Sequence, residues 1–210
     1  MKAVIFDLDG VICFTDKYHY QAWKALADRL GIYFDEQINN RLRGVSRMAS
    51  LDIILERAQQ NYTQEEKDAF AAEKNATYVE LLQQMSPADL SDEVKETLNA
   101  LREGGYKLAI GSSSRNTKLI LSRLGLGDFF DAISDGTNIT RSKPDPEVFL
   151  MAAEMLSLPP AECLVVEDAK AGIQAAHAGG FKSAGIGEAS EHPDCSYPIA
   201  HFSDLKTILL

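Results

Sequence analysis

The fold prediction starts from the stretch Val4-Ile5-Phe6-Asp7-Leu8-Asp9-Gly10. Its first three residues are a short apolar run of the kind that forms a buried parallel strand. In open α/β sheets, ligands bind beyond the carboxyl ends of the strands, where Asp7 and Asp9 stand. One such carboxylate can act as nucleophile and metal ligand while the other moves protons. Taken alone, the same residues are equally typical of an acidic turn at a strand end.

The composition is that of an ordinary globular protein. The chain has 210 residues, of which 45% are hydrophobic and 25% charged, enough for one or two domains with a substantial core. The net charge of -10 disfavours nucleic acid or an anionic membrane surface as a partner. Three widely spaced cysteines, Cys13, Cys163 and Cys195, suggest neither a disulfide framework nor a zinc cluster. We find no signal peptide or membrane span, and therefore predict a cytoplasmic protein.

Residues 16–85 show helical patterns with no strand and no proline, which predicts an inserted cap of four helices. The first of these helices should end near Gly31, and the last should begin with the capping box at Thr63 and Glu66. We therefore assign residues 15–86 to a helical cap, and residues 1–14 and 87–210 to the core.

After residue 91 the pattern alternates between helix and strand, which predicts an α/β core with a Rossmann-like parallel sheet. Asp145 is the expected N-cap of one helix, with Pro146 as its first residue. The tail after Gly187 shows only a short terminal helix from Asp204. The predicted strands are 107–111, 132–134, 163–166 and 183–186.

Polar groups follow several of these strands, and the topology should bring them together. They are Asp7 with Asp9, residues 112–116, Lys143, and Glu167 with Asp168. Four acids in one crevice repel one another unless a cation neutralises them, and oxygen ligands alone suit Mg²⁺. Lysine and the amides at a helix N-terminus suit a phosphate. The combination predicts phosphoryl transfer through an aspartyl-phosphate.

The whole chain resembles the haloacid-dehalogenase-like superfamily. The resemblance rests on the four motifs of that superfamily, which occur here in the same order as Asp7-Leu8-Asp9-Gly10, Ser112, Lys143-Pro144 and Glu167-Asp168. The second aspartate of the first motif, Asp9, resembles the pattern of the phosphatase and mutase branch of this superfamily. The resemblance is closer still to the β-phosphoglucomutase family. It extends through the segments 22–26, 42–47, 74–75, 86–89 and 171–175, together with Thr15 and His19.

The resemblance implies a role for each matching residue. Asp7 would be the nucleophile, Asp9 the general acid/base, and the Mg²⁺ ligands would be Asp7, Asp9 through its backbone carbonyl, Glu167 and Asp168. The transferring phosphate would be held by Ser112, Ser113 and Lys143, and the distal phosphate by Arg47, Ser114, Arg115 and Asn116. The sugar side would be lined by His19, Trp23, Gly44, Val45 and Lys74, with Thr15 and Asp16 at the hinge.

The implied function is an isomerase that interconverts β-D-glucose 1-phosphate and D-glucose 6-phosphate, acting as a monomer. It would use Mg²⁺ and β-D-glucose 1,6-bisphosphate, the latter as activator and intermediate. The alternatives are a magnesium-dependent sugar-phosphate phosphatase and a silent binding protein, which the presence of Asp7, Asp9 and Lys143 disfavours. Arg43 and Arg115 stand where these relatives use lysine, and arginine's planar fork differs from an ammonium group.

Several cap residues also have a purely structural interpretation. Trp23 and His19 share an apolar helical stripe, and without the resemblance this stripe favours a packed bundle core over a sugar site. Arg47 is compatible with a loop cation in a weak surface pair. Lys74 favours a functional role, because it lies in register with Phe70 and Tyr78 on the face that should be buried.

Overall fold

A computed structural model describes residues 1–42 and 45–210 of the chain. These residues form two compact units, one containing residues 1–14 and 86–210 and the other containing residues 15–85. Two residues named above, Arg43 and Gly44, lie outside the described residues. No helix in the described ranges has the length and apolar character needed to cross a membrane.

The larger unit is built on a parallel sheet, which confirms the α/β, Rossmann-like fold. Six strands occur in the described residues, in the order β3-β2-β1-β4-β5-β6 across the sheet. Each neighbouring pair is parallel. The strands are β1 (Ala3–Phe6), β2 (Lys107–Gly111), β3 (Ala132–Ser134), β4 (Cys163–Glu167), β5 (Lys182–Ile186) and β6 (Tyr197–Ile199). The strand β1 is buried along its whole length, as its apolar run predicts.

The smaller unit contains four helices within its described residues. They are α1 (Asp16–Arg29), α2 (Glu36–Asn40), α3 (Arg47–Leu55) and α4 (Gln64–Leu82). The capping box predicted at Thr63 is present at the start of α4. Apolar residues of all four helices, among them Trp23, Ile38 and Ile54, form one buried cluster.

The remaining helices flank the sheet of the larger unit. They are α5 (Asp92–Glu103), α6 (Thr117–Arg123), α7 (Glu147–Met155), α8 (Lys170–Ala178) and α9 (Asp204–Leu209). The helix α7 begins one residue later than predicted, because Pro146 is its N-cap. The strand β6 was not predicted, since it is short, lies at the sheet edge and contains Pro198, a residue that sheets tolerate at their edges.

Candidate active site

The candidate site lies at the point where the strand order reverses, between β1 and β4. Phe6 pairs with Val166 across these strands, and the amide of Asp7 donates to the Val166 carbonyl oxygen at 2.9 Å. Asp7 therefore lies beside Glu167, the last residue of β4. Such a reversal is where open α/β sheets bind their ligands.

Lys143 joins these two acids. Its ammonium nitrogen lies 2.5 Å from Asp7 Oδ1 and 2.5 Å from Glu167 Oε1, and all three side chains are almost entirely buried. Burial opposes the charge on Lys143, but the negative charges of Asp7 and Glu167 outweigh it and raise the lysine pKa above its usual value. Lys143 does not directly follow a strand, because residues 135–142 separate it from β3.

The acids outnumber this cation. Carboxylate oxygens of Asp7, Glu167 and Asp168 all lie within 4.8 Å of one another. Burial, followed by the charges of Asp7 and Glu167, raises the pKa of Asp168 to about 8. Burial also raises the pKa of Glu167, although Lys143 acts against the shift. Lys143 alone therefore does not keep all three carboxylates ionised, and a further cation among them would favour their charged forms.

Two glycines leave space for these carboxylates. A side-chain carbon at Gly10 would overlap the Asp168 carboxylate, and Gly10 also has a positive φ of 84°, which glycine adopts without strain. A side-chain carbon at Gly172, in α8, would overlap the Glu167 carboxylate. The Asp9-Gly10 and Ala171-Gly172 pairs in the sequence thus have a direct steric reason.

The loop after β2 holds the predicted phosphate-binding residues 112–116. The Ser112 hydroxyl accepts the Ser114 amide at 3.2 Å, and the Ser114 hydroxyl accepts the Asn116 amide at 3.2 Å. Two amides expected to face an anion thus donate to side chains within the loop. The Ser113 hydroxyl is buried and has no hydrogen-bond partner among the described residues. Arg115 is exposed.

The smaller unit has a polar group of its own, centred on Lys74. This lysine is only 3% exposed, and its nitrogen lies 2.8 Å from His19 Nδ1. The same nitrogen lies 4.7 Å from the centre of the Trp23 ring and 4.5 Å from that of Tyr78. Burial, followed by the charges of Lys74 and Arg47, keeps the His19 pKa well below its usual value. The imidazole is therefore neutral, and Nδ1 accepts a hydrogen bond from the ammonium group.

Other predicted cap residues lie around this group. Arg47 is the first residue of α3 and donates to Asn75 Oδ1 at 2.8 Å, and Asn75 follows Lys74 in α4. Thr15 is fully buried and its hydroxyl accepts the Tyr78 hydroxyl at 2.8 Å. Asp16 and Val45 are exposed.

Comparison with known proteins decides the family. The haloacid dehalogenase-like hydrolase family matches residues 1–180. The chain belongs to this family. It is 42% identical to a β-phosphoglucomutase of Bacillus subtilis (strain 168), over 100% of the chain and 94% of that protein. It is 33% identical to a phosphorylated carbohydrates phosphatase of Thermotoga maritima, over 89% of the chain and 82% of that protein.

A solved structure agrees with the fold. The crystal structure of a β-phosphoglucomutase from Clostridium difficile matches with a TM-score of 0.91 and 37% identity, covering 99% of this chain and 95% of that one. The relatives thus include both mutases and a phosphatase, and the family membership alone identifies an enzyme without fixing its reaction.

Phosphotransferases of the haloacid dehalogenase-like family generally use Mg²⁺, and the site fits this ion. Its three clustered carboxylates are buried or half-buried, burial and then their mutual repulsion raise the Asp168 pKa, and carboxylate oxygens are the ligands that Mg²⁺ prefers. Asp7, Glu167 and Asp168 are therefore the residues that could hold it.

Sequence reasoning did not single out Glu147, which the structure connects to the segment before Lys143. The only signal was its place directly after the Lys143-Pro144-Asp145-Pro146 motif.

Proposed function

We propose that this enzyme is a β-phosphoglucomutase, which interconverts β-D-glucose 1-phosphate and D-glucose 6-phosphate. The observation that carries the proposal is the buried contact of Asp7 with Lys143 at 2.5 Å, inside the cluster completed by Glu167 and Asp168. The choice of a mutase is supported by 42% identity over the whole chain, cap included. The proposal includes a cytoplasmic, monomeric protein whose partner is a small sugar phosphate.

The first half of the reaction forms an aspartyl-phosphate. An oxygen of the Asp7 carboxylate bonds to phosphorus, the bond between phosphorus and the sugar oxygen breaks, and Asp9 gives that oxygen a proton. Lys143, Ser112 and the Ser113 amide stabilise the transferring group. Asp7, Glu167, Asp168 and the Asp9 carbonyl would hold Mg²⁺, which would supply further positive charge for the transferring group.

The other half transfers the phosphoryl group of phospho-Asp7 to the 6-hydroxyl of β-D-glucose 1-phosphate. Asp9 takes the proton of that hydroxyl, whose oxygen bonds to phosphorus as the Asp7–phosphorus bond breaks, and the product is the intermediate β-D-glucose 1,6-bisphosphate. The intermediate then gives its 1-phosphoryl group to Asp7 by the first half-reaction and leaves as D-glucose 6-phosphate. This intermediate must present either end to Asp7, so a distal site must bind both phosphates. We assign that site to Arg47, Ser114, Arg115 and Asn116, and the sugar side to His19, Trp23, Gly44, Val45 and Lys74, with Thr15 and Asp16 as the hinge.

A magnesium-dependent sugar-phosphate phosphatase is the second candidate, favoured by the 33% identity to a phosphatase. It shares the Asp7 chemistry and differs in admitting water to the aspartyl-phosphate. In a mutase the cap must exclude that water.

One assay separates the two candidates. The purified protein is given Mg²⁺, β-D-glucose 1-phosphate and a trace of β-D-glucose 1,6-bisphosphate, and glucose 6-phosphate and free phosphate are followed in parallel. A mutase forms glucose 6-phosphate well ahead of phosphate. Release of phosphate alone would contradict the mutase and leave the phosphatase, and Arg43 and Arg115 would then be the first positions to exchange for lysine.

A further inference from the structure

Glu147, the first residue of α7, binds the backbone of the segment that precedes Lys143. Its Oε1 accepts the Thr140 amide at 2.9 Å, and its Oε2 accepts the Arg141 amide at 2.8 Å. The Thr140 hydroxyl and Arg141 Nε also donate to Oε2, at 3.0 Å and 3.3 Å. One carboxylate thus receives hydrogen bonds from two consecutive residues of the loop, through both backbone and side chain.

Asp145 closes the same segment from its other side. Its Oδ1 accepts the Glu147 amide at 3.0 Å, and its own amide donates to the Ser142 carbonyl at 3.1 Å. Its Oδ2 lies 3.2 Å from the Arg141 guanidinium. Lys143 therefore lies between residues 140–141 and Asp145, which both form hydrogen bonds with Glu147 at the start of α7.

The helix α7 is a firm base for these attachments. Val148 and Phe149, the two residues after Glu147, are 0% exposed and belong to the core cluster under the sheet. The Phe149 ring also lies 4.8 Å from the Lys143 nitrogen. The first turn of α7 thus contacts both the lysine and the backbone that carries it.

We propose that Glu147 is a positioning residue, which holds residues 140–143 so that the Lys143 ammonium group reaches Asp7 and Glu167. The consequence for catalysis rests on the proposed role of Lys143 toward the transferring phosphate. Hydrogen bonds from the Thr140 amide, and then from Arg141, hold the Glu147 pKa at about 2, so the carboxylate remains ionised throughout the pH range in which such enzymes are assayed.

The test compares Glu147→Ala and Glu147→Gln with Glu154→Ala, an exposed acid in the same helix. Each variant is assayed for kcat and KM with Mg²⁺ and p-nitrophenyl phosphate, and for inhibition by orthovanadate. Displacement of a catalytic group by about 1 Å can cost on the order of 100-fold, so we expect Glu147→Ala to lose about 10- to 100-fold in kcat/KM. Glu147→Gln, which retains one acceptor oxygen, should recover part of that loss, and Glu154→Ala should stay within about twofold of the parent.

A double-mutant cycle separates positioning from general stabilisation. Orthovanadate affinity, measured by thermal shift so that inactive variants can be included, is compared with and without Lys143→Ala. If Glu147 acts through Lys143, adding Glu147→Gln to Lys143→Ala costs less than about twofold further affinity. An equal loss in both backgrounds, or Glu147 variants indistinguishable from Glu154→Ala, would overturn the proposal. Neither readout depends on whether the enzyme is a mutase or a phosphatase. A failure of the proposed mutase function can therefore be distinguished from a failure of the proposed role of Glu147.

Discussion

The two units each bury a lysine, and the surroundings of the two lysines differ. In the larger unit, Lys143 is bound by the carboxylates of Asp7 and Glu167 at 2.5 Å each. In the smaller unit, Lys74 lies against a neutral imidazole at 2.8 Å and the faces of two aromatic rings. Carboxylates compensate a buried ammonium charge far more strongly than imidazole or ring quadrupoles do.

The difference suggests a division of labour. Around Lys143 the protein supplies three clustered carboxyl groups, a set that suits a bound cation and a nucleophilic carboxylate. Around Lys74, the His19 imidazole and the Trp23 and Tyr78 rings are uncharged, and an ammonium group in contact with such groups suits recognition of a polar, anionic ligand. We therefore expect substitutions in the larger unit to remove phosphoryl transfer from any ester, and substitutions in the smaller unit to remove the preference for a sugar phosphate.

Asp7→Asn should have the largest effect. The substitution keeps the shape of the side chain but removes the nucleophilic carboxylate, so both mutase flux and p-nitrophenyl phosphate hydrolysis should fall by about 10⁴-fold or more. Asp128→Asn, at an exposed acid in the same unit, is the control and should retain both activities. Turnover by Asp7→Asn within about tenfold of the parent would contradict its role as nucleophile.

Lys74→Met should have a smaller and selective effect. Methionine retains much of the side-chain volume but loses the charge, and a hydrogen bond to a charged group is worth about 1.5–3 kcal/mol, or roughly 10- to 100-fold. We expect this loss in kcat/KM for β-D-glucose 1-phosphate, with p-nitrophenyl phosphate hydrolysis almost unchanged. The matched control is Lys67→Met, at a lysine of the same helix that pairs with Asp52. Equal losses on both substrates would indicate that Lys74 contributes to phosphoryl transfer itself rather than to recognition of the sugar phosphate.

His19 should affect stability through pH. Its pKa in the folded protein lies well below the usual 6.5, so below about pH 6.5 the unfolded chain binds a proton that the folded one does not. The contribution of neutral His19 to the free energy of unfolding is therefore fully present above the pKa of the unfolded chain. It is lost as the pH falls toward the lower pKa of the folded protein. In urea unfolding between about pH 5 and 8, His19→Gln should show a shallower loss of stability at low pH than the parent. His177→Gln, at an exposed histidine, should keep the parent's slope, and an unchanged slope in His19→Gln would refute the assignment.

Local patterns in the sequence predicted most of the fold. The bounds of β2 and β3, the Thr63 capping box and the start of α9 at Asp204 agree with the structure, because apolar runs and capping residues act over a few neighbours. The edge strand β6 was missed, since its pairing depends on β5 rather than on a pattern of its own.

The candidate site was predictable only in part. Acids at the ends of β1 and β4 could be placed together from parallel topology alone. Other contacts depend on loop conformations that no sequence periodicity encodes. They are the hydrogen bonds from the Ser114 and Asn116 amides to neighbouring hydroxyls and those that Glu147 accepts from Thr140 and Arg141. Residues 43–44 of the predicted sugar-binding loop lie outside the described residues, and the role of Gly44 stays a prediction.

The most direct test of the division of labour is the ratio of mutase flux to p-nitrophenyl phosphate hydrolysis in Arg47→Ala. Arg29→Ala is the control, because Arg29 is an exposed arginine of the smaller unit that pairs with Glu73. We predict that Arg47→Ala lowers the ratio by at least about tenfold, the value of one lost charged hydrogen bond, while Arg29→Ala leaves it unchanged. Equal losses of both activities in Arg47→Ala would contradict the claim that the smaller unit selects the substrate.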